Sequence, residues 1–150
     1  MIGIWVCVMK ISTKGRYALK IMIDLAQHND GEYISLKEIA ARQDISIKYL
    51  ETIISLLNKA GFVESLRGKS GGYRLTRSPK EYTAGSILKI SEGSLAPVSC
   101  LSDETEKCEK AGECVSLPLW RNLDKVVDDY LESVTLKELI DMHDEQLCCE

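Results

Sequence analysis

Three cysteines, Cys100, Cys108 and Cys114, are separated by seven and then five residues. Thiolates are soft ligands that select iron–sulfur clusters or zinc, and three of them in one loop can converge on a single inorganic centre. The spacing alone leaves three readings open: a cluster or metal site, free thiols, or a disulfide switch. Cys7, Cys148 and Cys149 lie near the two ends and are assigned no role. A second set of residues has hydrogen-bonding heads suited to DNA. Ser46, Lys48, Tyr49, Glu51 and Thr52 open one helical stretch; there a lysine can reach guanine or phosphate, a glutamate can accept from the amino group of cytosine, and hydroxyls suit either role. Glu51 could instead pair with Lys48 at i,i+3, a contact worth only ~0.2–0.5 kcal/mol. Arg67, Lys69 and Ser70 sit in a glycine-rich turn closed by Tyr73, and cations there suit the negative potential of a narrow minor groove. Ser12, Lys14 and Arg16, with Lys10 before them, make a basic, hydroxyl-bearing start to another helical stretch, apt for phosphate contacts.

The elements that must hold these residues can be read from periodicity and capping. Residues 14–28 place Ala18, Ile21, Met22, Leu25 and Ala26 on one helical face, and Asn29-Asp-Gly31 stops that helix. Ser35-Leu-Lys-Glu38 is a capping box, which opens a short helix through about Arg42 with Leu36, Ile39 and Ala40 inward. Ser46 caps a third helix running to Lys59, with Ile47, Leu50, Ile53, Ile54 and Leu57 inward. Two short helices joined this tightly form a helix-turn-helix pattern. Phe62–Leu66 and Tyr73–Leu75 read as strands around the turn at 67–72, where Gly68, Gly71 and Gly72 allow close backbone approach and positive φ. A helix-turn-helix followed at once by a basic-tipped hairpin is a winged helix. Beyond it, Thr83 caps a helix through about Glu92, and the cysteine loop spans 93–116. Leu117-Pro118 then starts a long helix, with proline near the first turn where its missing N–H matters little. Its apolar stripe is Trp120, Leu123, Val126, Val127, Tyr130 and Leu131, and a second capping box, Thr135-Leu-Lys-Glu138, opens the last helix. The expected fold is mainly α with a small β-hairpin wing. Residues 1–8 stand as an N-terminal extension, 9–80 as a winged helix-turn-helix domain, 81–142 as the cysteine loop with long helices, and 143–150 as an acidic, cysteine-containing tail.

Net charge is −4 over 150 residues, but it is unevenly spread. Residues 1–80 carry 13 Lys and Arg against 7 Asp and Glu; residues 81–150 carry 6 against 16. A basic half and an acidic half suit a nucleic-acid-facing part joined to a part that faces elsewhere. The longest apolar runs fall well short of the roughly 20 residues a membrane span needs, and the first ten residues have neither the basic start nor the cleavage site of a signal peptide. The expected location is cytoplasmic, where clustered cysteines favour metal over disulfides. No nucleophile–base pair, P-loop or HExxH motif is evident, so nothing in the sequence points to an enzyme.

The motifs Ser12-Thr-Lys-Gly-Arg-Tyr-Ala18, Ser46-Ile-Lys-Tyr-Leu-Glu51, Arg67-Gly-Lys-Ser-Gly-Gly-Tyr73 and Leu119-Trp120 together resemble the Rrf-two (Rrf2) family of bacterial winged-helix regulators, from Met9 to about Met142. That resemblance implies a transcriptional regulator that acts as a repressor. It implies a homodimer on double-stranded DNA, with the helix from Leu117 crossing its partner as the dimerisation helix. It maps the wing arginine that enters the minor groove onto Arg67, and the glutamate that tunes sequence choice onto Glu51. In cluster-binding branches of the family it implies an iron–sulfur cluster, 2Fe–2S or 4Fe–4S, on Cys100, Cys108 and Cys114. The fourth ligand of two such branches falls here on Leu117 and Arg16, neither of which can ligate, and leaves a carboxylate (Asp103, Glu104, Glu106, Glu109 or Glu113), water or a small thiol as candidates. The stretch 92–98 resembles a further, CymR-like branch. In that reading the chain regulates cysteine and sulfur metabolism under control of a cysteine-biosynthesis enzyme, with structural or redox-active cysteines.

Overall fold

A computed structural model of the chain describes residues 11–102 and 108–147. Eight elements follow in order: α1 (Thr13–Gln27), α2 (Leu36–Gln43), α3 (Ile47–Lys59), β1 (Val63–Leu66), β2 (Gly72–Leu75), α4 (Ala84–Glu92), α5 (Leu117–Ser133) and α6 (Leu136–Leu147), with 3-10 turns at Pro79–Glu81 and Ser99–Leu101. The helix starts are chemically defined. Ser46 Oγ accepts from the Tyr49 N–H, and Ser35 with Glu38 forms a complete capping box. Thr135 and Glu138 exchange the same pair of bonds at the start of α6, at 3.2 and 2.7 Å. Gly61 turns the chain from α3 into β1 at φ +71°, a conformation that glycine adopts without steric cost.

The core is aliphatic. Ala18, Ile21, Met22 and Leu25 of α1 meet Ile39 of α2, Leu50, Ile53, Ile54 and Leu57 of α3, and Val63 of β1. It continues without a break into the second half through Tyr82, Ile87 of α4 and Leu136 of α6. Tyr82 is fully buried, and its hydroxyl is a hub: it accepts from the Thr76 and Arg77 N–H groups and donates to the Phe62 carbonyl. The base of the wing is thereby tied to the turn that leads into α4. One charge is also buried. Asp24 of α1 is held by two bonds from Arg42, at 2.9 and 2.7 Å, and one from Gln43 at 3.0 Å. Burial pushes its carboxyl up, but these hydrogen bonds more than offset that and leave it below its ordinary range.

Three local expectations need correction. Ile47 is exposed rather than inward, because it is the first residue of α3 and projects beyond the buried stripe that begins at Leu50. Among the wing glycines only Gly68 has positive φ, at +119°. Gly71 and Gly72 are needed for a different reason: a Cβ on Gly71 would run into the Leu66 carbonyl, and one on Gly72 into the Ile34 carbonyl. Ile34 and Tyr73 exchange backbone bonds at 2.8 and 2.9 Å, so the wing is pinned to the segment before α2. The apolar stripe of α5 is also not a single face. Trp120, Val127 and Leu131 are half-buried, whereas Leu119, Leu123, Val126 and Tyr130 lie in solvent, 37–64% exposed.

Candidate nucleic-acid interface and cysteine loop

The N-terminal end of α3 is an open surface. Ser46, Lys48, Glu51 and Thr52 are exposed. Lys48 and Glu51 form no ion pair with each other or with any described residue, so both heads remain free for another partner. Two of the predicted residues carry structural duties. The Ser46 hydroxyl caps the helix, and the Thr52 hydroxyl donates back to the Lys48 carbonyl at 3.2 Å. Tyr49 is half-buried, with its ring edge-on to Tyr17 of α1 at 5.8 Å between centroids. It fixes the angle of α3 against α1.

The wing divides its cations by task. Arg67, Lys69 and Ser70 are exposed at the tip, and the two cations have no acidic partner among the described residues. Arg74, on β2, is a strut instead: it pairs with Glu64 at 2.5 Å, donates to the Gly31 carbonyl at 2.9 Å and lies over the Tyr33 ring at 4.5 Å. Tyr73 is half-buried and serves the bridge to Ile34. At the start of α1, Lys14 is half-buried and Arg16 exposed. The Ser12 hydroxyl caps Gly15 and donates to Glu92 at 2.6 Å. Lys10 lies outside the described residues.

The cysteine loop leaves α4 at Gly93, whose φ of +78° ends that helix. Cys100 is exposed on the 3-10 turn, Cys108 is exposed, and Cys114 is half-buried three residues before α5. None of the three forms a disulfide with another described residue. Cys114 Sγ lies 3.4 Å from the Ser116 hydroxyl; bonds from that hydroxyl and from the N–H groups of Ser116 and Leu117 lower the thiol below its ordinary value. The donor set therefore suits a thiophilic centre in kind. The described residues do not gather it, however: among them no group of three His, Cys, Asp or Glu side chains is placed to hold a metal. Asp103, Glu104 and Glu106, along with Cys7, Cys148 and Cys149, lie outside the described residues. Leu117 is only 7% exposed and packs inward.

Several residues that link these parts leave no local signal in the sequence. Glu92 reaches Ser12 across 80 positions, and Glu132 reaches Thr83 across 49. Lys89 pairs with both Asp128 and Glu132 of α5, at 2.5 and 2.8 Å. The one available hint was a glycine inside each helix start, at Gly15 and Gly85, where a packing reason is expected. No described helix is long and apolar enough to cross a membrane.

Comparison with known proteins agrees with this architecture. The sequence pattern of the Rrf2 family, described as an iron-dependent transcriptional regulator, matches residues 11–142. The transcriptional regulator CymR of Bacillus subtilis is 44% identical over 131 residues, covering 87% of this chain and 89% of the relative. A solved structure described as CymR, the global cysteine regulator of B. subtilis, superposes with a TM-score of 0.72 at 43% identity, over 89% of this chain and 97% of that one. A structure of T. potens IscR also gives 0.72, at 36% identity, over 91% and 90% of the two chains.

Proposed function

The chain belongs to the Rrf2 family of winged-helix, DNA-binding transcriptional regulators, and on that premise we propose that it works as a homodimeric repressor on a two-part site in double-stranded DNA and reads iron–sulfur, iron or redox status through a cluster on Cys100, Cys108 and Cys114. The observation that carries the DNA half is the free display of Lys48 and Glu51 on α3 and of Arg67 and Lys69 on the wing. A recognition helix works by presenting such residues at its N-terminal end to the major groove, while a wing arginine suits the minor groove. Ser46, Thr52 and Ser70 border that surface. Tyr49 and Tyr73 act by holding it in place, and Lys14 and Arg16 add phosphate contacts.

The dimer reading is supported by Leu119, Leu123, Val126 and Tyr130, which repeat at spacings of four, three and four along α5 and are 37–64% exposed. Such a seam is what two crossing helices bury. A cluster held by three thiolates and one non-cysteine or open position would be labile, which suits a sensor. In this chain the thiolates would come from the loop between α4 and α5, and the chain's own contribution is to link that loop to both helices.

The test is the visible absorption of protein prepared without oxygen, with the Cys100→Ala/Cys108→Ala/Cys114→Ala variant as control. We expect a brown wild type, a colourless variant, and operator affinity that differs between the two by a factor of roughly 5–150. A colourless wild type that binds the same operator as tightly as the variant would overturn the sensor half and leave the DNA half standing. A second reading has specific support. Leu117 is packed inward at a position where cluster-binding relatives are expected to place a ligand, and CymR is 44% identical. In that CymR-like reading the protein lacks a cluster and responds to a cysteine-biosynthesis enzyme as its partner.

A further inference from the structure

Two glutamates meet two helix starts in the same way. Glu132, near the end of α5, lies over the start of α4. Its carboxylate accepts from the Thr83 hydroxyl at 2.6 Å and from Lys89 at 2.8 Å, and it occupies the space that a Cβ on Gly85 would need. Glu92, the last residue of α4, lies over the start of α1. One of its oxygens accepts from both the Ser12 N–H, at 3.0 Å, and the Ser12 hydroxyl, at 2.6 Å. That same oxygen stands where a Cβ on Gly15 would be. Glycine within a helix is unfavourable relative to alanine, and here its absent side chain is what admits the carboxylate. A carboxylate at a helix N-terminus is also favoured by the unpaired N–H groups and the dipole there.

Glu92 has a particular place in the chain. It immediately precedes Gly93, where the backbone leaves α4 for the cysteine loop. The residues it holds lead directly into Lys14 and Arg16. We infer that Glu92 is a positioning residue for DNA binding: it fixes the start of α1, and with it the phosphate-facing cations, without touching DNA itself. Ser12 then belongs to this joint. Its single hydroxyl proton goes to Glu92, and its oxygen also caps Gly15. This inference rests on the DNA-reading half of the proposal above.

The experiment compares Glu92→Ala, Glu92→Gln and Gly15→Ala in the full chain, using as probe the duplex that the wild type enriches from a random-sequence pool. Affinity is measured across a salt series on protein verified as folded at the assay temperature. Glu92→Ala should bind roughly tenfold or more weakly, within the range of ordinary coupling between sites, and the slope of log affinity against log salt should flatten by about 0.9 for each phosphate that is no longer neutralised. Glu92→Gln keeps an acceptor oxygen in the same place and should recover most of the affinity. Gly15→Ala should resemble Glu92→Ala, because its methyl displaces the carboxylate. Amide exchange at residues 12–16 should quicken in Glu92→Ala without any DNA present. Unchanged affinity and slope in Glu92→Ala overturns the inference. So does tighter binding with a steeper slope, which would mean that Glu92 occupies a phosphate seat rather than shaping one. If the wild type enriches no duplex, the regulator reading fails, and unchanged amide exchange in Glu92→Ala then separately sinks the joint.

Discussion

The DNA-binding head and the α4–α5 half are held together by different physics. Around α1–α3 the contacts are buried and apolar, and the buried charge of Asp24 is partnered by Arg42 and Gln43. Along α5 only Leu117 is buried. That helix leans on α4 through Lys89, Asp128, Glu132 and Thr83, all at least partly exposed, and a cavity of about 500 Å³ opens between α5 and the turn that follows α4. Close-packed cores respond to deformation as rigid units, whereas partly hydrated polar contacts can be exchanged for water at small cost. The molecule thus pairs a rigid reading head with an adjustable frame, and the cysteine loop is attached to the frame.

The largest effects should fall in the head. Leu57→Ala removes a fully buried side chain from the centre of the core and should cost about 2–5 kcal/mol, measured by denaturant unfolding. Val126→Ala on α5, 64% exposed in the single chain, should change the unfolding of the monomer by less than about 0.5 kcal/mol. Its effect should appear instead as a raised dimer dissociation constant in sedimentation. Equal losses from the two substitutions would erase the distinction between the regions. Next in size is Tyr82→Phe. It leaves two N–H groups and the Phe62 carbonyl without their hydroxyl partner and should cost about 1–3 kcal/mol.

Asp24 sharpens the contrast through pH. Its carboxyl is depressed in the folded chain, so the stability it contributes is present above the ordinary aspartate pKa of about 3.9 and is lost as pH falls through the lower folded value. Asp24→Asn should lower stability at neutral pH by about 1.5–3 kcal/mol, the scale of a hydrogen bond to a charged group. It should also reduce the steepness of acid unfolding. A variant whose acid limb matches the wild type would show that this buried pair is not what the head loses on acidification.

How much of this was legible in the sequence follows from how far apart the partners lie. Caps are local, so Ser35 with Glu38, Ser46 and Thr135 with Glu138 marked helix starts that the structure reproduces. Hydrophobic periodicity gave the inner faces of α1 and α3, and failed at Ile47 because a helix end has no neighbour on which to pack. On α5 the apolar residues recur at helical spacing all along the helix, and periodicity cannot tell a face that meets α4 from one left in solvent. The glycine at 72 was visible, but its reason, the backbone of Ile34, lies nearly forty positions away, whereas Gly71 answers to the nearby Leu66 carbonyl. Glu92 reads locally as an ordinary polar residue at a helix end. The cysteines were found by type and spacing, yet no spacing rule fixes how a loop folds around a centre.

The smallest effect is the most informative about the frame. Lys89 is raised above its ordinary range by hydrogen bonds to Asp128 and then Glu132, and Glu132 is lowered mainly by Lys89. The sign follows from each direction. The lysine's contribution is present below its ordinary pKa and is lost as pH rises through the higher folded value; the glutamate's is present above its ordinary pKa and is lost as pH falls through the lower one. All three side chains are 38–47% exposed, so solvent screens the pairs, and Lys89→Met should cost only about 0.2–1 kcal/mol and less at high salt. A change that small cannot unfold the head, yet it removes both cross-links between α4 and α5 that Lys89 makes. Operator affinity should therefore respond to Lys89→Met more strongly than thermal stability does. If both move together, or if the stability loss persists undiminished in high salt, α5 is packed as firmly as the head and the frame is not the adjustable part.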